Sequence, residues 1–212
     1  LIAEAGGFVS APIYSSVSGT VTRIDSIVDA TGYRHPAIII KVEGDEWEET
    51  IDRSAVLETL DKHPELTAEE IVARVKWGGI TGMGGAGFPC HVKLCPPPTA
   101  KAECVILNGV ECEPYITSDY RLMLEHADEI LVGLDLLMRA AHVERGYIGI
   151  EENKPDAIRL LQEKTANRQD IKIVPLKMKY PQGGEKQLVD AVIDRQVPAP
   201  PAIPVSVGAI VQ

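Results

Sequence analysis

Gly78-Gly79-Ile80-Thr81-Gly82-Met83-Gly84-Gly85-Ala86-Gly87-Phe88-Pro89 places six glycines within residues 78–87. Glycine brings no side chain to a core and costs backbone entropy, so this density marks a backbone that takes unusual φ/ψ angles or comes close to a ligand. Gly82, Gly84 and Gly87 satisfy G-x-G-x-x-G. In a dinucleotide-binding βαβ unit that pattern follows a strand and opens a helix. The residues before it here read as a helix instead. Thr67 is a candidate N-cap, Glu69 and Glu70 fill the first turn, and Ile71, Val72 and Val75 form an apolar stripe. A glycine loop that leaves a helix and closes on Phe-Pro is a different device, with ligand contact favoured over a plain turn.

From residue 66 onward strands and helices alternate. The apolar run 104–107 reads as a buried strand, and Ser118 or Asp119 can cap a long amphipathic helix to about Ala141. Residues 146–150 and 171–176 are further strands. Pro155 opens a helix to Lys164, and another runs over residues 184–194 before a proline-rich stretch. This order predicts a Rossmann-like α/β domain, three layers around a parallel sheet, over residues 66–212. Residues 1–45 read differently, as short β-rich runs at 8–14, 19–24 and 37–42 divided by turn residues. Residues 46–65 are charged and mixed, a connector with a short helix expected over 54–62. The apolar ends, Leu1-Ile2-Ala3 and residues 205–212, suggest a chain cut from a longer one, with the α/β domain truncated at its C-terminus.

The net charge of −10 disfavours nucleic acid and anionic lipid as nonspecific partners. No apolar run approaches the ~18–20 residues of a membrane helix, so direct membrane insertion is not expected. The spacings of Cys90, Cys95, Cys104 and Cys112 match neither a metal knuckle nor a cubane ferredoxin run. They read as free thiols of a reducing, cytoplasmic compartment, and no metal ligands are assigned.

Three clusters carry chemistry. The glycine loop offers backbone N–H groups to phosphate or ring oxygens, with Lys93 as a local positive charge and Phe88 as either a stacking face or a core ring. Asn108-Gly109-Val110-Glu111-Cys112-Glu113-Pro114 follows a buried strand, where ligands of open α/β sheets collect. Its two carboxylates suit ribose hydroxyls, a metal, acid/base work or plain solvation. Tyr180-Pro181-Gln182-Gly183-Gly184-Glu185-Lys186 stands before a helix, a place for an anion or a polar cofactor edge.

Together these motifs resemble the flavin-binding 51 kDa subunit family of respiratory complex I, and within it the RnfC proteins of Rnf electron transport complexes. Residues 11–21 are similar to half of a barrel-sandwich hybrid module of the biotinyl and lipoyl kind. No lysine lies between Leu1 and His35 to be modified, so only the shape carries over. The resemblance implies FMN, with hydride passing from NADH to the flavin and no protein side chain acting as the catalytic group. It assigns Gly82, Gly84, Gly85, Gly87, Lys93, Asn108, Glu111, Gly184 and Glu185 to the flavin, and Phe88 and Glu113 to NADH. Electrons would leave through 4Fe-4S clusters outside this sequence, toward other subunits of a membrane complex that holds the protein on the inner face of the cell membrane. Met83, Pro96, Val110 and Lys186 depart from the complex I pattern, and Lys186 fits the Rnf-like one. A cobalamin reductase flavoprotein subunit and a cofactor-free docking module are the alternatives.

Overall fold

Four parallel strands hold the second part of the chain together. In the computed structural model, which describes residues 1–49, 51–54, 56–83 and 86–212, they are β3 (Cys104–Gly109), β4 (Gly146–Glu151), β5 (Ile171–Leu176) and β6 (Ala209–Val211), in the order β5-β4-β3-β6. All three pairings are parallel. β5 lies on the sheet edge, where Pro175 costs no ladder bond in the middle of the sheet.

Helices cover both faces because the strands are apolar on both. Val105, Ile148, Ile150, Ile171, Ile173 and Ile210 belong to one core, under α3 (Ser118–Glu125), α4 (Ala127–Ala140) and α5 (Pro155–Lys164). Cys104, Ile106, Leu176, Ala209 and Val211 belong to the other, under α6 (Glu185–Ile193). The chain runs β3 to β4 to β5 in one direction, then crosses back through α6 to place β6 on the far side of β3. The α/β domain with a three-layer parallel sheet is thus observed.

The helix before the glycine loop is α1 (Ala68–Trp77). Thr67 caps it in a full capping box, accepting from the Glu70 N–H while the Glu70 carboxylate accepts from the Thr67 N–H. α1 and the short α2 (Cys90–Lys93) pack on the outer side of α4 through Ile71, Cys90, Leu94 and Ala140. Arg139 ties the connector to this unit by donating to the carbonyls of His63 and Leu66 at 2.7 and 3.2 Å.

Four expectations are corrected. The long helix after residue 118 is two helices, broken at His126 (φ −129°, ψ 35°), so that α3 packs on α5 while α4 follows the sheet and meets α1. Its N-cap is Thr117, neither Ser118 nor Asp119. The connector helix reduces to one 3-10 turn, Leu60–Lys62. Asp52 draws the Ser54 N–H and hydroxyl into a local turn that competes with helix. Residues 8–14 make no strand beyond an isolated bridge between Ala3 and Ile13, and the Pro12 carbonyl lies close against Gly79.

Within residues 1–45 the regular structure is a hairpin, β1 (Gly19–Val28) with β2 (Arg34–Val42), antiparallel and bulged between Val21 and Arg23. Its turn is set by Asp29, whose carboxylate accepts from Thr31, and by Gly32 at φ +85°. Ile24 is 75% exposed and Val28 56%. No helix is long and apolar enough to cross a membrane among the described residues.

Candidate functional site

The strand order reverses between β3 and β6, and the crevice outside the carboxyl ends at such a reversal is where open α/β sheets bind ligands. Three separate stretches of sequence meet there. Asn108, at the end of β3, donates through Nδ2 to the Gly183 carbonyl at 2.9 Å and accepts through Oδ1 from the Val110 N–H at 3.2 Å. Its own N–H donates to the Gln212 carbonyl at 2.8 Å, just past β6. Asn108 is therefore first a strut between β3, β6 and the loop before α6. One amide hydrogen and one lone pair remain for another partner.

Lys93 comes from the glycine-loop side. Its Nζ donates to the Val211 carbonyl at 2.8 Å and lies 3.3 Å from Glu185 Oε1, in the first turn of α6. Its side chain is only 18% exposed, while that of Glu185 is 47% exposed. A Cβ placed on Gly82 would stand 3.9 Å from Lys93 Nζ, so the loop runs close over the ammonium. Gly183 packs where a Cβ would meet the Val110 carbonyl at 3.0 Å and Cys112 Sγ at 3.4 Å, which binds the second and third motifs together. Gly184 is the N-cap of α6. Gln182, beside it, is 2% exposed, and its amide nitrogen has no partner among the described residues.

Glu111 behaves differently from its neighbour Glu113. Its carboxylate is buried and caps α3, accepting from the N–H groups of Asp119 at 2.7 Å and Tyr120 at 3.2 Å. Lys154 Nζ stands 3.9 Å from it and 3.0 Å from Glu151, itself fully buried. Burial and the Glu111 charge together push the Asp119 carboxyl above its usual range. Glu113 is exposed. Phe88 is 37% exposed and lines a cavity of about 610 Å³ outside the crevice. Gly87, at φ +65°, lines the same cavity. Gly84 and Gly85 lie outside the described residues.

The thiols divide likewise. Burial pushes the Cys90 thiol up, leaving it an uncharged core group, and does the same to Cys104. Cys112 is half-buried against Gly183. No group of three or more His, Cys, Asp or Glu side chains is close enough to hold a metal ion among the described residues.

Residues 75–212 match the Nuo51 FMN-binding domain. The chain belongs to that family. Residues 1–45 match the RnfC barrel sandwich hybrid domain. Over its whole length the chain is 44% identical to the RnfC-type component of a proton-translocating ferredoxin:NAD(+) oxidoreductase complex of Clostridium ljungdahlii, covering 45% of that protein. Over 99% of its length it is 42% identical to the corresponding component of the Na(+)-translocating complex of Acetobacterium woodii, covering 46%. The chain thus spans about half the length of these relatives. In fold it is similar to a chain of an NAD+-reducing [NiFe]-hydrogenase, at a TM-score of 0.61 and 23% identity over 72% of this chain and 30% of that one.

Within this Nuo51-type domain, sequence reading missed Lys154, Glu151 and the 209–212 strand end. Glu151 closes an apolar strand and Lys154 precedes Pro155, positions that read as a solvated loop. Only the fold turns them inward.

Proposed function

We propose that this chain holds FMN at the carboxyl ends of β3 and β6 and receives hydride from NADH there, as the NADH-side part of an ion-translocating oxidoreductase complex. The observation that carries this reading is the convergence of Lys93, Asn108, the 182–184 loop and Glu185 on the crevice where the strand order reverses. The residues present suit the group. Lys93 keeps one of its three N–H donors, Asn108 keeps a donor and an acceptor, and Gln182 has a buried amide of the kind a bound polar partner satisfies.

FMN, when bound, supplies the redox chemistry, taking a hydride and releasing electrons singly. The chain supplies position and charge. Lys93 stabilises negative charge in an otherwise acidic protein, and Glu185 and the Val211 carbonyl keep its ammonium in place. Asn108 holds the loop before α6 against β3. Glu111, spent on the α3 N-terminus, acts through the 111–118 segment and serves as a positioning residue. Glu113 and Phe88 are exposed enough to meet a nucleotide, by hydrogen bonding and ring stacking. Gly82, Gly84, Gly85 and Gly87 remain the proposed flavin-side loop, and Gly184 the proposed backbone donor at the start of α6.

Residues 1–45 would form the barrel-sandwich module, 46–65 the connector and 66–212 the nucleotide domain. The protein would sit peripherally on the inner face of the cell membrane, held by partner subunits. Titration of the full-length protein with FMN, followed by quenching of flavin fluorescence, tests the reading. Saturable binding that Lys93→Ala weakens about tenfold is expected. No binding by the wild-type protein overturns it.

A further inference from the structure

A polar cavity of about 350 Å³ lies at the amino ends of the strands, at the far end of the sheet from the crevice. Its volume falls within the range of small-molecule sites. It is lined by Glu103, Cys104, Arg145, Tyr147, Ile193 and Arg195, on the α6 face of the sheet. Three places in the chain supply them: the start of β3, the start of β4 and the end of α6.

Arg195 is fixed in place. It donates through Nη1 to the Val207 carbonyl at 2.7 Å and through Nη2 to the Glu103 carboxylate at 2.7 Å. Gly208, at φ +85°, lies against this pair: a Cβ there would stand 2.7 Å from Arg195 Nη1 and 3.1 Å from Glu103 Cδ. A side chain at position 208 would push the guanidinium away, so this glycine serves both the left-handed backbone and the arginine. The two contacts use two of the five guanidinium N–H groups and leave three. Arg145 is exposed. Among the described residues, neither its guanidinium nor the Tyr147 hydroxyl has a hydrogen-bond partner, and both reach the cavity.

Two guanidinium groups thus face one carboxylate, which Arg195 already engages. Burial pushes the Cys104 thiol up, so it adds no negative charge. In a chain of net charge −10, a cavity whose lining carries a positive excess selects for anions. A guanidinium offers paired N–H groups that match two oxygens at once. A carboxylate has one such edge, whereas a phosphate has several and can meet two guanidinium groups on different walls. The Tyr147 hydroxyl is a further donor, and its ring with Ile193 gives an apolar wall for carbon atoms. We infer that this cavity binds a small phosphate ester, held between Arg145 and Arg195. The inference does not depend on the flavin reading.

The test uses the full-length protein with FMN in excess, so that phosphate does not compete for an empty flavin site. Phenylglyoxal modifies arginine side chains, and peptide mapping gives its rate at each one with and without inorganic phosphate. Modification of Arg145 should slow roughly tenfold when phosphate stands at ten times its Kd. Arg159, exposed on α5, should react at an unchanged rate. Chloride at the same ionic strength should not protect Arg145, and succinate should protect it less than phosphate does. Equal rates at Arg145 with and without phosphate, equal protection of Arg159, or equal protection by chloride or succinate overturns the inference. So does an Arg145 that fails to react without phosphate, since the cavity is then covered in the whole protein. Arg145→Gln removes no contact within the described residues and should fold as the wild type does. Its calorimetric affinity for inorganic phosphate should fall tenfold or more, and a wild-type affinity overturns the assignment.

Discussion

Two lysines stand beside carboxylates at the carboxyl end of the strands, and their surroundings differ. Lys154 lies between Glu151 and Glu111, with all three side chains at most 9% exposed. Lys93 meets Glu185, whose side chain is about half exposed, and a backbone carbonyl at the mouth of a crevice. A buried ion cluster cannot give up a partner, because removing one charge leaves the others uncompensated in a poorly solvated place. A half-open pair loses little when one member turns to a ligand. Burial, more than residue type, separates the lysine locked among buried carboxylates from the lysine that we propose for the flavin.

The largest expected effect breaks the buried member. Lys154→Met leaves Glu111 and Glu151 buried together and should cost about 3–5 kcal/mol of stability, a fall in Tm on the order of 10 °C for a chain of this size. The flavin affinity of the folded fraction should not change. Adding Glu151→Gln should return part of the loss, since it removes one of the stranded charges. A Tm shift within about 2 °C for Lys154→Met would place the cluster among ordinary surface pairs.

Lys93→Ala is the converse. Its cost in stability should stay near 1 kcal/mol or below, whereas FMN affinity should fall about tenfold. Thermal denaturation without added flavin and flavin titration separate the two quantities. A variant with wild-type affinity and lowered stability would make Lys93 a second structural lysine, and the contrast with Lys154 would disappear.

How far the sequence reveals these roles follows from the same physics. Local patterns stand out: the Thr67–Glu70 capping box, Pro155 at the start of α5, and the alternation of apolar strands with amphipathic helices each depend on residues a few positions apart. The candidate site is legible in its parts, since Lys93, Asn108 and Glu185 sit in recognisable motifs. Their assembly is not, because the Lys93 contact to Val211 spans 118 positions and depends on β6 crossing to the far side of β3. Glu111 and Glu113 look alike in sequence, two carboxylates two residues apart, yet one is sealed under α3 and the other faces solvent. Residues 8–14 have β-rich composition, yet their backbone pairs only at Ile13, with Ile2 and Ala3, among the described residues, so composition alone does not make a strand.

The contrast between Glu111 and Glu113 yields a third prediction. Glu113→Gln should raise the KM for NADH by roughly three- to tenfold, worth about 1 kcal/mol, with flavin content unchanged. Glu111→Gln should instead lower Tm, since it weakens the cap on α3. Unchanged NADH kinetics in Glu113→Gln would remove Glu113 from the nucleotide site and leave it a solvated loop acid.

A further ionic cluster, at the opposite end of the strands, sets the small end of the scale. Arg168 holds Asp170, just before β5, and Asp135 on α4 through contacts of 2.6 Å each. The Arg168 hydrogen bond holds the Asp170 carboxyl below the usual carboxylate range. The unfolded chain therefore takes up this proton at a higher pH than the native one does. The stabilisation is complete above the ordinary carboxylate value and is lost as pH falls through the depressed native value. The pair is more than a third exposed, so after solvent screening it contributes about 0.5–1 kcal/mol. Arg168→Gln should lower Tm at pH 7 by roughly 2–4 °C and by less near pH 3. An equal loss at both values would mean that Arg168 contributes packing, and that charge has no part in joining α4 to the start of β5.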